Sequence, residues 1–355
     1  MNDLRVNMLG DSLTHNGGIT TVENLIIKHI SSDIKIQHIS THENGSHSHK
    51  AAIFVRGLIT LTWRLSTQKV DLVHIHLADW GSIIRKVTIV LIALMFRKPI
   101  AIHAHGPEFH LTYEALPKVA KRVLGSIFQK CNKFIVLSES WKKFYVTSLG
   151  LREDLVLVLP NPVELPQQIP ERSHRSQLTL VFLGRVGQRK GAFDLLQAFS
   201  GLSPEQKQQS KLIFAGDGDL EEGHRLVNQL GLNSAVTFVG WLSCEQKNEL
   251  LAKADIFILP SYNEALPMAI LEAMSWGLPV ITCPVGGIAE IVISGRNGLC
   301  VPPGKIPELT EALQTLITNQ DLRLHLGKAA RASVESLDVK QYIVQISNIY
   351  WSLTA

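Results

Sequence analysis

The chain has 355 residues, of which 45% are hydrophobic and 19% are charged. This composition excludes a largely disordered protein, and the length predicts two domains of ordinary size rather than one core. The formal net charge is only +4, but residues 1–160 carry 19 Lys and Arg against 12 Asp and Glu, whereas the remainder carries 16 against 19. We therefore expect the two halves of the chain to face different partners.

Membrane-spanning and disulfide-rich classes are also excluded. The longest strongly apolar stretch, Val87 to Phe96, would span about 15 Å as a helix, which is half of a bilayer core. The first ten residues lack the basic region and the apolar core of a signal peptide. The four cysteines form no C-x-x-C pair, which argues against a zinc cluster or a disulfide framework. A cytoplasmic protein is expected.

Strand-like and helix-like segments alternate through the first half of the chain. The predicted strands are short, β-branched and bounded by turn residues, and they lie at 4–9, 34–39, 70–75, 99–103, 133–137 and 155–159. The predicted helices lie at 19–30, 83–96, 118–129 and 139–149. This alternation predicts a parallel sheet with helices on both faces.

A proline-rich connection follows at 160–170 and continues in polar residues to 177. The alternation then resumes, with predicted strands at 178–183, 211–215, 235–239, 255–259, 279–282 and 298–301 and predicted helices at 191–200, 220–230, 245–252, 266–276 and 307–318. We predict an α/β fold of two doubly wound domains in tandem, residues 1–165 and 166–335, with an interdomain cleft for ligands. A helix within 336–355 is expected to pack back on the N-terminal domain.

The window from Ser261 to Met274 follows an apolar strand and is the most informative part of the sequence. Pro267 suits a first helical turn, and the N–H groups of Ala265 and Leu266 would then face an anion. Glu264 precedes that turn, and Glu272 lies further along the same helix. As an isolated pair, these would more simply be surface glutamates of an amphipathic helix.

A second window, Gly184 to Gly191, also follows an apolar strand. Arg185 offers a rigid fork of donors and Lys190 a mobile point charge, and both suit phosphate oxygens. The window contains neither a Walker loop nor a G-x-G-x-x-G motif. Taken alone, an exposed basic turn explains it equally well.

Together these windows resemble a known family. The run Ser-x-x-Glu-x-x-Pro-x-x-x-Leu-Glu-Ala-Met-x-x-Gly-x-Pro-Val-Ile from 261 to 281 is similar to the glutamate-x7-glutamate signature of retaining GT-B glycosyltransferases of family four, the glycosyl transferases group 1. The resemblance includes the basic loop at 184–191, the glycine-rich turn at 215–218, the segment 238–240 and the motifs at 286–290 and 297–298. It covers residues 178–301 well and the first domain only at isolated points.

The resemblance implies a role for each matching residue on the donor side. Arg185 and Lys190 would neutralise a nucleotide diphosphate, which is also the leaving group. Glu272 would accept hydrogen bonds from the ribose hydroxyls, and Glu264 would lie beside the transferred sugar. The remaining matches are the Ala265 and Leu266 amides, assigned to sugar hydroxyls or phosphate, Gly216 in the glycine-rich turn, and Gly240 and Trp241, assigned to the base.

In the first domain the resemblance assigns three residues. Gly17 and Gly18 open a helix after the first strand, where the family has a glycine pair near the diphosphate and the acceptor. His105 matches a family histidine near the donor sugar, although a lone histidine is more often structural. The implied reaction is same-face attack within an ion pair, with the leaving phosphate helping to deprotonate the acceptor and no covalent nucleophile.

Two patterns resemble metal sites. Asp217-Gly218-Asp219 is similar to the D-x-D motif of the other large glycosyltransferase fold, but Asp219 suits a helix cap and the two cations already supply positive charge. We therefore predict no catalytic metal and no cofactor. A histidine-rich segment is interpreted as a mobile polar loop: His38, His42, His47 and His49.

The expected partners are a nucleotide-diphosphate sugar, with UDP-hexose favoured on family frequency, and a saccharide or lipid-linked saccharide in polysaccharide (exopolysaccharide) biosynthesis. The basic amphipathic segment 118–130 predicts contact with an anionic membrane at the inner face, or simply a helix that packs its apolar face in the domain. Nucleic acid is not expected, because no recognition motif is present. The alternatives are another GT-B reaction, such as a sugar-nucleotide epimerase or a phosphorylase, and a non-catalytic sugar-nucleotide binder.

Overall fold

The computed structural model describes residues 3–172 and 177–355. The end of the predicted polar connection, residues 173–176, lies outside the described residues. The chain divides into two compact units. Unit 1 comprises Met1–Pro162 with Val339–Ala355, and unit 2 comprises Val163–Asp338.

Unit 1 is built on a parallel sheet whose six strands run in the order β2-β1-β3-β4-β5-β6 within the described residues. Both faces of the central strands are covered by helices, so β3 is buried along its whole length. The elements are β1 (Leu4–Gly10), α1 (Gly18–His29), β2 (Ile34–Ser40), α2 (His47–Ser66), β3 (Leu72–Leu77), α3 (Trp80–Met95), β4 (Ile100–Ala104), α4 (Phe109–Glu114), α5 (Lys118–Phe128), β5 (Lys133–Val136), α6 (Glu139–Leu149) and β6 (Val156–Val158).

Unit 2 repeats this plan, with the strand order β12-β11-β10-β7-β8-β9 in the described part of the chain. Its elements are β7 (Leu178–Leu183), α7 (Ala192–Ser200), α8 (Pro204–Gln208), β8 (Ser210–Ala215), α9 (Leu220–Gln229), β9 (Val236–Gly240), α10 (Cys244–Lys253), β10 (Ile256–Leu259), α11 (Met268–Ser275), β11 (Val280–Thr282), α12 (Ile288–Ile291), β12 (Leu299–Cys300), α13 (Ile306–Thr318) and α14 (Gln320–Val334). Short 3₁₀ turns lie at Gln188–Lys190 and Glu335–Leu337.

The chain returns to unit 1 through α15 (Val339–Thr354), which packs against α1 and β3. Its apolar side is buried, including Tyr342, Ile346 and Tyr350. The hydroxyl of Tyr350 lies 2.8 Å from Nδ1 of His74 on β3. A helix that follows unit 2 in the chain thus completes the core of unit 1.

The interpretation of 38–49 as one mobile polar loop is wrong at both ends, because only residues 41–46 lie outside a strand or a helix. His38 belongs to β2, and α2 begins at His47, where the side chain of Ser46 accepts a hydrogen bond from the backbone N–H of His49. The polar residues therefore form the amino-terminal turn of a 20-residue helix. The alternation missed this helix because a histidine- and serine-rich start hides the apolar pattern that follows. It also missed α14, which Asn319 caps directly after α13.

None of the helices in the described ranges is both long enough and apolar enough to cross a membrane.

Candidate functional site

The predicted donor residues lie at the point in unit 2 where the strand order reverses. Strand β7 has β8 on one side and β10 on the other, so the loops after β7 and β10 leave the sheet in opposite directions. Such a reversal opens a crevice at the carboxyl ends of the strands, where ligands of doubly wound sheets bind. The loop after β7 carries Arg185 and Lys190, and the loop after β10 carries Glu264.

The loop after β7 is held by backbone hydrogen bonds to the glycine-rich turn after β8. The N–H of Gly184 donates to the carbonyl of Ala215 at 3.0 Å, and the N–H of Val186 donates to the carbonyl of Asp217 at 2.6 Å. A Cβ at Gly216, which has φ +153°, would lie 1.9 Å from the carbonyl oxygen of Gly184. Gly216 therefore permits the contact between the two loops. Arg185 is exposed beside this turn.

Lys190 and Glu264 are brought together from the two loops. The Lys190 ammonium donates a hydrogen bond to Oε1 of Glu264, and the two side chains are 17% and 6% exposed. The backbone ties the loops as well, because the N–H of Tyr262 donates to the carbonyl of Arg189 at 2.9 Å. A cation and a carboxylate thus form an ion pair at the strand-order reversal.

The side chains that brace these loops were not predicted from the sequence. The Tyr262 hydroxyl donates to Oδ2 of Asp194 at 2.6 Å, and Gln188 Nε2 donates to Oδ1 of the same carboxylate at 3.3 Å. Asp194 lies in the first turn of α7, directly after the basic loop. A single charged residue in an otherwise apolar first turn was the feature of the sequence that could have indicated this role.

The start of α11 differs slightly from the prediction. Pro267 is the N-cap residue with φ −74° and ψ 127°, and the helix begins at Met268. The carbonyl of Ala265 accepts a hydrogen bond from the N–H of Gly287 at 2.7 Å, so the residues before α11 pack against the 286–290 motif. A Cβ at Gly286 would lie 1.8 Å from the carbonyl oxygen of Glu264, which requires glycine there. Ala265 and Leu266 are both buried in this arrangement.

Glu272 is paired with a lysine that was not predicted from the sequence. The Lys247 ammonium on α10 donates a hydrogen bond to Oε1 of Glu272 on α11, and the two side chains are 22% and 15% exposed. Burial by itself lowers the pKa of Lys247, but the charge of Glu272 and its hydrogen bond outweigh that effect, so the pKa is raised and the lysine stays charged. Lys247 is the fourth residue of a capped helix, where lysine is common, so nothing in the sequence indicated that it pairs with Glu272.

The remaining donor-side residues lie at the ends of β8 and β9. Gly240 ends β9 and accepts a hydrogen bond from the N–H of Gly216 at 2.8 Å through its carbonyl. The following Trp241 is 46% exposed and so presents an aromatic surface to solvent. Asp219 caps α9, since its Oδ1 accepts from the N–H of Glu222 at 3.2 Å, as the sequence predicted.

The three first-domain candidates lie in unit 1, at the carboxyl edge of its sheet. Gly17 is the N-cap residue of α1 and Gly18 begins that helix, directly after the loop from β1. His105 follows β4, is 6% exposed, and its Nε2 lies 2.9 Å from Nδ1 of His76. Burial lowers the pKa of His105 to about 3, so its ring is neutral.

The comparisons with known proteins agree with this arrangement. Residues 167–333 match the family described as Glycosyl transferases group 1, and residues 30–167 match the one described as Glycosyltransferase Family 4. A crystal structure of Anabaena Alr3699/HepE in complex with UDP and glucose covers 98% of this chain and 100% of its own, with TM-score 0.78 and 20% identity. The chain belongs to the family-4 GT-B glycosyltransferases, so the predicted family and fold class are confirmed.

Two curated relatives illustrate the range of the family. Sulfoquinovosyl transferase SQD2 of Arabidopsis thaliana is 31% identical over 176 residues, which are 49% of this chain and 33% of that protein. The chain thus matches a third of that relative's length. The Escherichia coli UDP-Gal:alpha-D-GlcNAc-diphosphoundecaprenol alpha-1,3-galactosyltransferase is 24% identical over 316 residues, 83% of this chain and 79% of that protein.

Proposed function

We propose that the protein is a retaining hexosyltransferase that moves a hexose from a nucleotide-diphosphate sugar, UDP-hexose in the favoured case, to a saccharide or lipid-linked saccharide in polysaccharide biosynthesis. The observation that carries the proposal is the Lys190–Glu264 pair at the strand-order reversal of unit 2. Support for UDP comes from the structural neighbour that holds UDP and glucose and from the relative named for UDP-Gal.

The charges at this site suit a diphosphate leaving group. Negative charge grows on the diphosphate as the glycosidic bond breaks, and preorganised cations stabilise that charge. In the proposal, Arg185 and Lys190 bind the phosphate oxygens, Glu272 binds the ribose and Glu264 binds the transferred hexose. Lys190 then exchanges part of its contact with Glu264 for a phosphate oxygen, which leaves the carboxylate available for a sugar hydroxyl.

The other assignments of the resemblance complete the proposed site. Trp241 and Gly240 contact the base, and the Ala265 and Leu266 amides together with the Gly216 turn line the diphosphate and the sugar. Gly17, Gly18 and His105 act from unit 1, on the acceptor side and beside the donor sugar. The two cations take the place of a metal, so the transfer itself uses no metal cofactor.

A direct assay tests this proposal. The purified protein is incubated with UDP-glucose, UDP-galactose or GDP-mannose, and release of the nucleoside diphosphate is measured with and without saccharide acceptors. We expect one UDP-hexose to be consumed and NMR to show that the anomeric configuration is kept in the product. If no donor yields nucleoside diphosphate, the result would favour a non-catalytic binder. If the donor is converted to a second nucleotide sugar, the result would favour an epimerase.

The acceptor side of the proposal includes peripheral contact with an anionic membrane. Helix α3 packs between α2 and α5, and together these helices form an outer surface that we call the α2–α3–α5 face. It exposes large apolar side chains: Val55, Ile59 and Trp63 on α2, Ile84, Leu91 and Met95 on α3, and Val119 and Val123 on α5. Soluble monomers rarely expose so many neighbouring apolar residues.

The charge of the same face favours anionic lipid over a protein partner. None of the three helix sequences contains Asp or Glu, and six of their Lys and Arg residues accompany the apolar side chains: Lys50, Arg56, Arg64, Lys118, Lys121 and Arg122. Basic residues near an anionic surface and apolar side chains at its boundary add their contributions. One of these lysines is partly used within the protein, since Lys121 donates to the carbonyl of Glu114.

A further inference from the structure

Four histidines form a buried cluster on one face of the sheet of unit 1. His74 and His76 are two residues apart on β3 and so share a face, and His103 on β4 is the register partner of His76. His105 lies just beyond β4. The ring centroids of neighbouring members are between 4.1 and 5.7 Å apart. Imidazoles thus occupy positions that are otherwise apolar in the central strands.

Only some of the ring nitrogens in this cluster have a hydrogen-bond partner. Nδ1 of His74 is paired with the Tyr350 hydroxyl at 2.8 Å, and Nδ1 of His76 with Nε2 of His105 at 2.9 Å. Among the residues that the structure describes, Nε2 of His74, Nε2 of His76 and both ring nitrogens of His103 have no hydrogen-bond partner. Buried polar atoms are nearly always paired, so these nitrogens require a partner outside the chain.

The unpaired side chains are close enough to share one ligand. One ring nitrogen from each of His74, His76 and His103 lies within 4.8 Å of the others. Three nitrogens around a tetrahedral zinc ion, each at 2.0–2.1 Å, would be about 3.3 Å apart, so binding would draw the three rings closer together. Two histidines at i and i+2 on one strand and a third on the next strand place three imidazoles on the same side of a sheet.

We propose that His74, His76 and His103 bind one Zn²⁺ ion inside unit 1. The donor set of three imidazole nitrogens suits zinc and not the oxygen-seeking Mg²⁺ or Ca²⁺. The outer nitrogens of two ligands are already held by Tyr350 and His105, as the partners of metal-binding histidines commonly are.

The electrostatic surroundings are compatible with a cation. Burial holds the imidazoles neutral, which is the form that binds metal, and lowers the pKa of His74 to about 3. The carboxylate of Glu23 on α1 lies 3.9 Å from Nδ1 of His76 and 3.7 Å from Nε2 of His38, and it is fully buried. Burial raises the pKa of Glu23 and lowers the pKa of Lys86 to about 8, and the attraction between the two groups opposes both shifts. The Lys86 ammonium donates to the hydroxyl of Thr41 at 2.7 Å.

The site would also fix the protons of the neighbouring groups. Zinc on Nε2 of His76 leaves its proton on Nδ1, which then donates to Nε2 of His105 and places the proton of His105 on Nδ1. In the same way, Nδ1 of His74 would donate to the Tyr350 oxygen. This consequence for His105 rests on the proposed function, but metal binding itself does not.

Metal analysis of the untagged full-length protein tests the proposal. After growth with added zinc and gel filtration, we expect one zinc ion per chain by mass spectrometry, and cobalt exchange should give the visible absorption of a tetrahedral Co²⁺ site. His103→Gln should lose both signals. His325→Gln, which changes an exposed histidine of unit 2, should keep both.

Three results would overturn the site. These are no zinc above the buffer blank together with no cobalt spectrum in the wild type, equal metal content in His103→Gln, or loss in His325→Gln. If His103→Gln does not fold, Tyr350→Phe removes only the partner of His74 and should weaken Co²⁺ binding about tenfold to hundredfold; unchanged affinity would count against the site. Absence of glycosyl transfer would leave the metal content unchanged, so the two proposals fail separately.

Discussion

Lys247 and Glu272 form a hydrogen-bonded ion pair between α10 and α11, 25 residues apart in the chain. Both side chains are largely shielded from water, so the pair fixes the direction of the Glu272 carboxylate. Glu272 is the residue proposed to bind the ribose. In that proposal Lys247 is a positioning residue for the ribose contact, although it belongs to no motif of the family signature.

Lys247→Met should weaken UDP binding about tenfold, because an unpaired Glu272 carboxylate is free to turn away from the ribose. It should also lower the free energy of unfolding by about 1–3 kcal/mol, since a hydrogen bond between charged groups is lost. Calorimetry with UDP and denaturant unfolding measure the two effects. Lys247→Arg should restore much of the affinity, and a Met variant with wild-type affinity would contradict the positioning role.

Arg185→Ala and Lys190→Ala should each lower turnover by about a hundredfold or more, because each removes one preorganised charge at the diphosphate. Initial rates of nucleotide release measure this effect. Arg189→Ala is the matched control, since the Arg189 guanidinium already donates to the carbonyl of Asn263. Wild-type turnover in both site variants would refute the assignment of the diphosphate to this loop.

Glu272→Ala and Glu264→Ala should have different effects on ligand binding. The ribose is present in both UDP and UDP-hexose, so Glu272→Ala should weaken both ligands. The hexose is present only in the donor, so Glu264→Ala should chiefly affect the complete donor. Calorimetry of each variant with each ligand gives the ranking, and the reverse order would exchange the two roles.

Asp219→Ala should lower the free energy of unfolding by about 1 kcal/mol, because it removes the N-cap of α9. Asp219→Asn keeps a capping oxygen and should cost less. If the D-x-D pattern were a metal site, Asp217→Ala would abolish activity and added Mg²⁺ or Mn²⁺ would raise the wild-type rate. We expect neither of these two results. Initial rates test them, and denaturant unfolding measures the effect of the Asp219 variants on stability.

Ile59→Gln combined with Met95→Gln should reduce binding to anionic vesicles at least tenfold. Burying one large apolar side chain contributes roughly 1.5–3 kcal/mol, and these two are among the most exposed on the α2–α3–α5 face. Flotation with anionic and neutral liposomes at low and high salt measures the change. Val344→Gln, an equally apolar and exposed position on α15, is the control. Equal recovery of wild type and double variant would show that this face does not contact lipid.

The sequence was sufficient to predict the strand–helix alternation, and β7 is predicted at its observed bounds. Parallel strands buried on both faces are short apolar runs, which periodicity detects well. The whole of α2 was missed, because the polar residues at its start are typical of loops too. The sequence did not show that Ile59 and Trp63 are exposed, because an apolar helix face that points to solvent has the same sequence pattern as one that is buried.

The site residues were predicted singly, and their partners were not. Lys190 and Glu264 are 74 positions apart, and only the order β10-β7-β8 brings their loops together. The histidine cluster depends in the same way on the register of β3 and β4, which pairs His76 with His103. Local patterns do not encode such pairings, since they arise from the arrangement of strands in the sheet.

The return of α15 to unit 1 has a consequence for biosynthesis. Residues 3–162 leave the ribosome before unit 2 does, but they lack α15, the helix that packs on β3. The whole of unit 2 is synthesised before that helix appears. Domains generally fold as units once their segments are available. Unit 2 is continuous in sequence, so it is able to finish folding while unit 1 still exposes part of its core. The nascent chain therefore most needs a chaperone in the period before α15 is synthesised, and at its amino-terminal half.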